Sequence, residues 1–101
     1  MLLALDIGNT NVTIGIFDGG AIRATWRIAT DVARLPDEYA VTLIGLLRTE
    51  DIAIDAIQQA VMASVVPDLA PVFEQLCRRY FHVEPLVVST GTRTGVRIVY
   101  D

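Results

Sequence analysis

The sequence predicts an α/β fold, a mixed five-stranded sheet with helices in the order β-β-β-α-β-α-β. Three observations carry that prediction. The first 29 residues fall into three blocks, one apolar and two alternating, separated by clusters of turn formers. Two further short apolar runs follow, each preceded by a stretch with helical spacing. At 101 residues the chain has room for one domain.

The elements follow in order. Leu2-Leu3-Ala4-Leu5-Asp6-Ile7 is nearly all apolar, the pattern of a strand covered on both faces, and it breaks at Gly8-Asn9-Thr10-Asn11. From Asn11 to Asp18, Val12, Ile14 and Ile16 share one side and Thr13, Gly15 and Phe17 the other. Asp18-Gly19-Gly20 is a hairpin turn, after which Ile22, Ala24, Trp26 and Ile28 alternate with Arg23, Thr25 and Arg27. Thr30 to Leu35 reads as a loop. Pro36, Asp37 and Glu38 suit a helix N-terminus, and Tyr39, Leu43, Leu46 and Leu47 carry its apolar stripe to about Thr49. Ala60 to Val66 is a second buried-strand pattern, ended by Pro67. Leu69, Phe73, Leu76 and Tyr80 predict a helix over 69–81, and Leu86-Val87-Val88 a third buried strand. Gly91 to Gly95 reads as loop, and Val96 to Tyr100 as a short strand or an extended segment. Strands separated by helices should be parallel, and the first three should form an antiparallel meander. This is the ribonuclease-H-like layout, which also forms each lobe of the actin, Hsp70 and sugar-kinase superfamily. It directs attention to the carboxyl ends of the strands and to the first hairpin.

Composition narrows the function classes. One cysteine, Cys77, excludes an internal disulfide framework and suits a reduced cytoplasmic setting; with His82 it also leaves too few soft ligands for a zinc site. No apolar run is long enough to span a bilayer, so no membrane partner is expected. A net charge of −4 speaks against a sequence-independent grip on nucleic acid. All eight basic residues are arginines, which excludes Schiff-base chemistry and any phosphate site built on a lysine ammonium. An apolar fraction of 52% is high for so short a chain and suggests a face reserved for something else.

Asp6-Ile7-Gly8-Asn9-Thr10-Asn11 is the most informative stretch. A carboxylate buried beside Leu5 and Ile7 would need a partner or a metal. Glycine permits close approach of the backbone, and turn N–H groups with the Thr10 hydroxyl and the Asn9 and Asn11 amides can surround phosphate oxygens. A lone carboxylate beside such a turn also suits Mg²⁺. The competing reading is a hairpin whose Asp caps its own turn. On spacing alone both stay open. His82 reads as a helix-end residue, Cys77 as core filler and Arg78-Arg79 as a solvated face, while Arg27 points away from the Trp26 face, placed for a surface ion pair first and a ligand second.

Those residues, followed by Gly15-Ile16-Phe17-Asp18, Trp26-Arg27-Ile28, Asp37-Glu38-Tyr39, Ser64-Val65-Val66-Pro67, Pro85-Leu86-Val87-Val88, Gly91-x-x-Thr94-Gly95 and Tyr100-Asp101, resemble the N-terminal portion of type III pantothenate kinase across the whole chain. The resemblance implies two ribonuclease-H-like lobes and ATP-dependent phosphorylation of pantothenate to 4'-phosphopantothenate, the first step of coenzyme A synthesis. It implies that Asp6, Ile7, Gly8, Asn9, Thr10, Asn11, Val12 and Thr13 line the ATP phosphates, with Asp6 near Mg²⁺, and that Tyr100 belongs to the pantothenate site. Many members carry Lys where this chain has Thr13, which weakens a charge-based phosphate contact there. In the family a catalytic aspartate with an adjacent arginine, a second phosphate motif and a monovalent-cation site for K⁺ or NH₄⁺ lie beyond the position of Asp101, and the full-length protein is expected to be a homodimer. The expectation is therefore a single N-terminal lobe over residues 1–101 of a truncated kinase, without a catalytic residue of its own and inactive alone. Two other readings compete. A ribonuclease-H-like nuclease needs several converging carboxylates, and the 60–66 run has none. A non-catalytic regulator of the Bvg accessory factor type shares the N-terminal motifs.

Overall fold

The computed structural model describes residues 1–88. Alternation sets the two faces of the first three strands, β1 (Leu2–Ile7), β2 (Asn11–Asp18) and β3 (Ala21–Ala29), which pair as the predicted antiparallel meander. Gly19 and Gly20 turn the β2–β3 hairpin at φ of 60° and 88°, a left-handed backbone that a side chain would strain. Helix α1 (Pro36–Thr49) returns the chain to β4 (Gln59–Ser64), which lies parallel to β1. Helix α2 (Ala70–Leu76) leads to β5 (Leu86–Val88), parallel to β4. The sheet order is β3-β2-β1-β4-β5.

Both helices pack on one face of the sheet. Leu3, Leu5 and Ile7 of β1, Val12, Ile14 and Ile16 of β2, and Ala60 and Met62 of β4 form a single core with Tyr39, Leu43, Leu47, Phe73 and Leu76. Each buried leucine, isoleucine, valine, methionine or phenylalanine among them contributes roughly 1.5–3 kcal/mol relative to exposure. The Tyr39 and Phe73 rings meet between the helices with centroids 4.6 Å apart. At the start of α1, Pro36 occupies the first turn and the Leu35 N–H donates to Glu38 Oε1 at 2.8 Å, so the predicted N-terminus holds.

Four expectations change. The first strand is not covered by helices on both faces: no described helix lies over the face that carries Asp6, and Asp6 is exposed. The strict alternation of β3 breaks at a bulge, where Ile16 pairs with Ala24 but Phe17 with Ile22. Ile22 therefore turns outward at 59% exposure, and Arg23 reaches the end of α1, donating to the Glu50 carbonyl at 2.6 Å. β4 stops at Ser64 because its hydroxyl captures the Val66 N–H at 3.0 Å and folds the chain over before Pro67. The predicted helix over 69–81 is α2 followed by a wider π turn at Cys77–Phe81, closed by the Val83 N–H donating to the Cys77 carbonyl at 3.2 Å and by left-handed His82. Tyr100 and the segments over 91–95 and 96–100 lie outside the described residues.

Candidate functional site

Three residues, Gly8-Asn9-Thr10, join β1 to β2 at the carboxyl end of β1. The Gly8 N–H donates to the Asn11 carbonyl at 2.9 Å and closes the connection. A Cβ at Gly8 would stand only 3.1 Å from that same carbonyl oxygen, which is why the position takes glycine. Thr30, just past the end of β3, holds the connection from the other side: its hydroxyl donates to the Gly8 carbonyl at 2.7 Å and its N–H to the Thr10 carbonyl at 3.0 Å. The Val65 N–H donates to the Ile7 carbonyl at 3.0 Å, bringing the end of β4 beside the end of β1.

Asp6 stands on the face of β1 opposite Leu5 and Ile7 and is exposed, so the desolvation argument for a buried carboxylate does not apply to it. Among the described residues its side chain makes no hydrogen bond or ion pair. In particular it does not cap its own turn; Gly8 and Asn11 close that turn through backbone alone. Asp6 is the register partner of Thr13, Thr13 is that of Arg27, and on the other side Asp6 is that of Ala63. One cross-strand row thus carries Arg27, Thr13, Asp6 and Ala63 on the face without a described helix, with neighbouring strands about 4.8 Å apart. Arg27 is exposed and has no carboxylate within ion-pair distance among the described residues.

The N–H groups of Asn9 and Thr10 have no acceptor among the described residues, and neither do the exposed side chains of Asn9, Thr10 and Asn11. Two successive unspent amides, a hydroxyl and two carboxamides beside an exposed carboxylate are a donor set suited to phosphate oxygens with a carboxylate-bound Mg²⁺. Ile7 and Val12 differ from the other predicted site residues: both side chains are fully buried, so only their backbones face the site. Gly8 carries the bond that closes the turn, and half-buried Thr13 is the register partner of Asp6. Tyr100 is outside the described residues. Thr30 and Tyr39 complete the arrangement without having been predicted to. Tyr39 is fully buried, and its hydroxyl accepts from the Asp31 N–H and donates to the Asp31 carbonyl, each at 2.8 Å. The signal for it is weak: a tyrosine in a helix's apolar stripe needs a partner for its hydroxyl, and the preceding loop is the nearest supply. A separate depression of about 360 Å³, lined by Met1, Leu2, Phe17, Gly19 and Gln58 among others, lies at the opposite end of β1.

Burial pushes the Cys77 thiol up to about 12. The hydrogen bond from the Tyr80 hydroxyl to Asp37 raises the Tyr80 phenol above its ordinary value and ties α1 to the π turn. Arg78 binds Glu84 through two hydrogen bonds at 2.9 and 2.6 Å, which lower the Glu84 carboxyl.

A five-stranded mixed sheet with this order, helices on one face and a polar turn at the end of its first strand define a lobe fold of the actin, Hsp70 and sugar-kinase superfamily. Solved structures agree. A Porphyromonas gingivalis protein put forward as an N-acetylglucosamine kinase superimposes with a TM-score of 0.62 at 17% identity, over 88% of this chain and 34% of its own. The ethanolamine utilization protein EutJ from Carboxydothermus hydrogenoformans superimposes with a TM-score of 0.55 at 14% identity, over 84% and 42%. At those identities the likeness concerns the fold. The family is narrower: the model of type III pantothenate kinase matches residues 2–101, and the chain belongs to that family. The type III pantothenate kinases of Pelobacter propionicus and Geobacter sulfurreducens are each 45% identical over 101 residues, all of this chain and 40% of their own length. That of Syntrophus aciditrophicus is 42% identical over the same span. The chain therefore spans about two fifths of the length of these curated relatives.

Proposed function

We propose that residues 1–101 are a single nucleotide-binding lobe of a kinase that transfers the terminal phosphoryl group of ATP to pantothenate, feeding coenzyme A synthesis. One observation carries this reading: exposed Asp6 stands beside a three-residue turn whose Asn9 and Thr10 amides are unspent. Membership of the pantothenate kinase family supports pantothenate as the acceptor and phosphoryl transfer as the reaction.

In this proposal the Asn9 and Thr10 amides, the Thr10 hydroxyl and the Asn9 and Asn11 side chains receive the phosphate oxygens. Gly8 lets the backbone close beneath them, and the backbones of Ile7 and Val12 frame the turn. Asp6 holds Mg²⁺, which when bound neutralises charge on the phosphates. Thr13 is a neutral neighbour of Asp6, and Arg27 behind it supplies positive charge that no lysine of this chain can. Phosphoryl transfer depends on positioning and electrostatics, which these groups provide on the nucleotide side. Tyr100 as a pantothenate contact, a K⁺ or NH₄⁺ requirement, a homodimer and a cytoplasmic setting belong to the same proposal for the whole protein.

Isothermal titration of Mg·ATP into the chain tests the nucleotide half; saturable binding that is lost in Asp6→Asn is expected, and no binding by the parent chain would overturn it. Coupled detection of ADP tests the reaction half, using the chain mixed with the C-terminal three fifths of a relative such as the Geobacter sulfurreducens enzyme. Pantothenate-dependent ADP release is expected, and release indifferent to pantothenate would remove that acceptor.

A further inference from the structure

Thr30 is 22 residues from Gly8, yet it spans the whole β1–β2 connection, its hydroxyl on the Gly8 carbonyl at 2.7 Å and its N–H on the Thr10 carbonyl at 3.0 Å. The consequence follows from peptide geometry. The Gly8 carbonyl and the Asn9 N–H belong to one planar trans unit and point in opposite directions. Fixing that carbonyl on Thr30 therefore fixes the Asn9 N–H away from Thr30. It also withdraws from the turn two carbonyl dipoles that would repel an anion. Thr30 is itself held: the next residue, Asp31, has its N–H and its carbonyl both on the Tyr39 hydroxyl, and Tyr39 is fully buried against Phe73. A continuous strut thus runs from the core between the helices to the turn.

We propose that Thr30 is a positioning residue for the phosphates of the bound nucleotide, and that Tyr39 anchors it. This rests on the nucleotide reading above, and the test separates the two. Thr30→Val keeps the shape and the backbone bond but removes the hydroxyl; Thr30→Ser keeps the hydroxyl. Titrations of Mg·ATP and of adenosine are compared for the parent chain and both variants. Thr30→Val is expected to weaken Mg·ATP about tenfold, the scale of one hydrogen bond, and to leave adenosine unchanged. Thr30→Ser should stay within about twofold of the parent. Tyr39→Phe, a second variant should Thr30→Val fail to fold, is expected to act in the same direction and again only on the phosphate-bearing ligand. Equal Mg·ATP affinity in parent and Thr30→Val would overturn the positioning role and leave the nucleotide reading intact. Equal weakening of adenosine would reduce Thr30 to a structural part and also overturn the role. Failure of the parent chain to bind Mg·ATP would overturn both.

Discussion

Asp6 and Thr13 face one another across β1 and β2 as register partners on the side of the sheet that bears no described helix. Their neighbours in sequence, Leu5 and Ile14, are partners too, but on the opposite side and fully buried. Alternation along two short strands therefore places a carboxylate at the surface directly above a core that fixes its position. A charged side chain set on so rigid a base loses little freedom when it engages a ligand, which suits a binding role.

The first prediction separates binding from stability at Asp6. Because the side chain is exposed and without a described partner, Asp6→Asn should change unfolding free energy by less than about 0.5 kcal/mol. The same change should weaken Mg·ATP by roughly tenfold or more, enough to abolish saturation over the range that saturates the parent chain, with the deficit vanishing when Mg²⁺ is omitted. Urea denaturation and paired titrations check the two halves.

A second prediction concerns Arg27, one strand beyond Thr13 in the same row. Arg27→Gln should lower affinity for ATP more than for AMP, because the number of phosphate charges sets the electrostatic gain. The difference should shrink as salt rises. Equal losses for ATP and AMP would place Arg27 away from the terminal phosphates.

Tyr39 gives a third. Its buried hydroxyl satisfies both backbone groups of Asp31, so Tyr39→Phe should cost about 1–2 kcal/mol from groups left unpaired. Tyr39→Ala should cost about 3–5 kcal/mol, since the ring packed on Phe73 goes as well. Chemical denaturation of the two variants measures both.

The fourth is a pH dependence. The Cys77 thiol is raised from 9.0 to about 12 by burial, so above about pH 9 the unfolded chain releases a proton that the folded chain keeps. Stability should fall with rising pH by up to about 1.4 kcal/mol per unit between those values. Below pH 9 the contribution is fully present. Comparing the slope of unfolding free energy in the parent and in Cys77→Ala isolates it: the slope difference should disappear below pH 9. The native thiol should also resist a disulfide reagent that labels it in urea.

How much of this was legible in the sequence varies with the range of the interaction. The meander, both parallel crossovers and the limits of β1, β2, β3 and α1 follow from local pattern and match the structure. Period-two alternation put Asp6 out of phase with Leu5 and Ile7, but the apolar run around it suggested burial, because a single strand does not reveal which faces the helices cover. The bulge at Ile22 and Arg23 was hidden for a related reason: one extra residue reverses the phase, and nothing local announces it. The π turn after Leu76 keeps an apolar spacing close to that of an α-helix, so the periodicity merged them into one element. At the candidate site, Asp6 to Asn11 stood out in the sequence as a contiguous motif, and Val12 and Thr13 joined it only through the family resemblance. Thr30 was not legible there, since its two hydrogen bonds reach back 22 residues to Gly8 and 20 to Thr10 and depend on where β3 ends.

In the proposed function the terminal phosphates of a nucleotide sit on the Gly8-Asn9-Thr10 turn beside Asp6. Its most direct test is a titration of the ¹⁵N-labelled chain with Mg·ATP, followed by amide NMR shifts. The largest changes should fall on Gly8, Asn9, Thr10, Asn11 and Thr13, with saturation that is lost in Asp6→Asn. A spectrum that stays still at these amides, or moves instead around Met1, Phe17, Gly19 and Gln58 at the far end of the sheet, would contradict it.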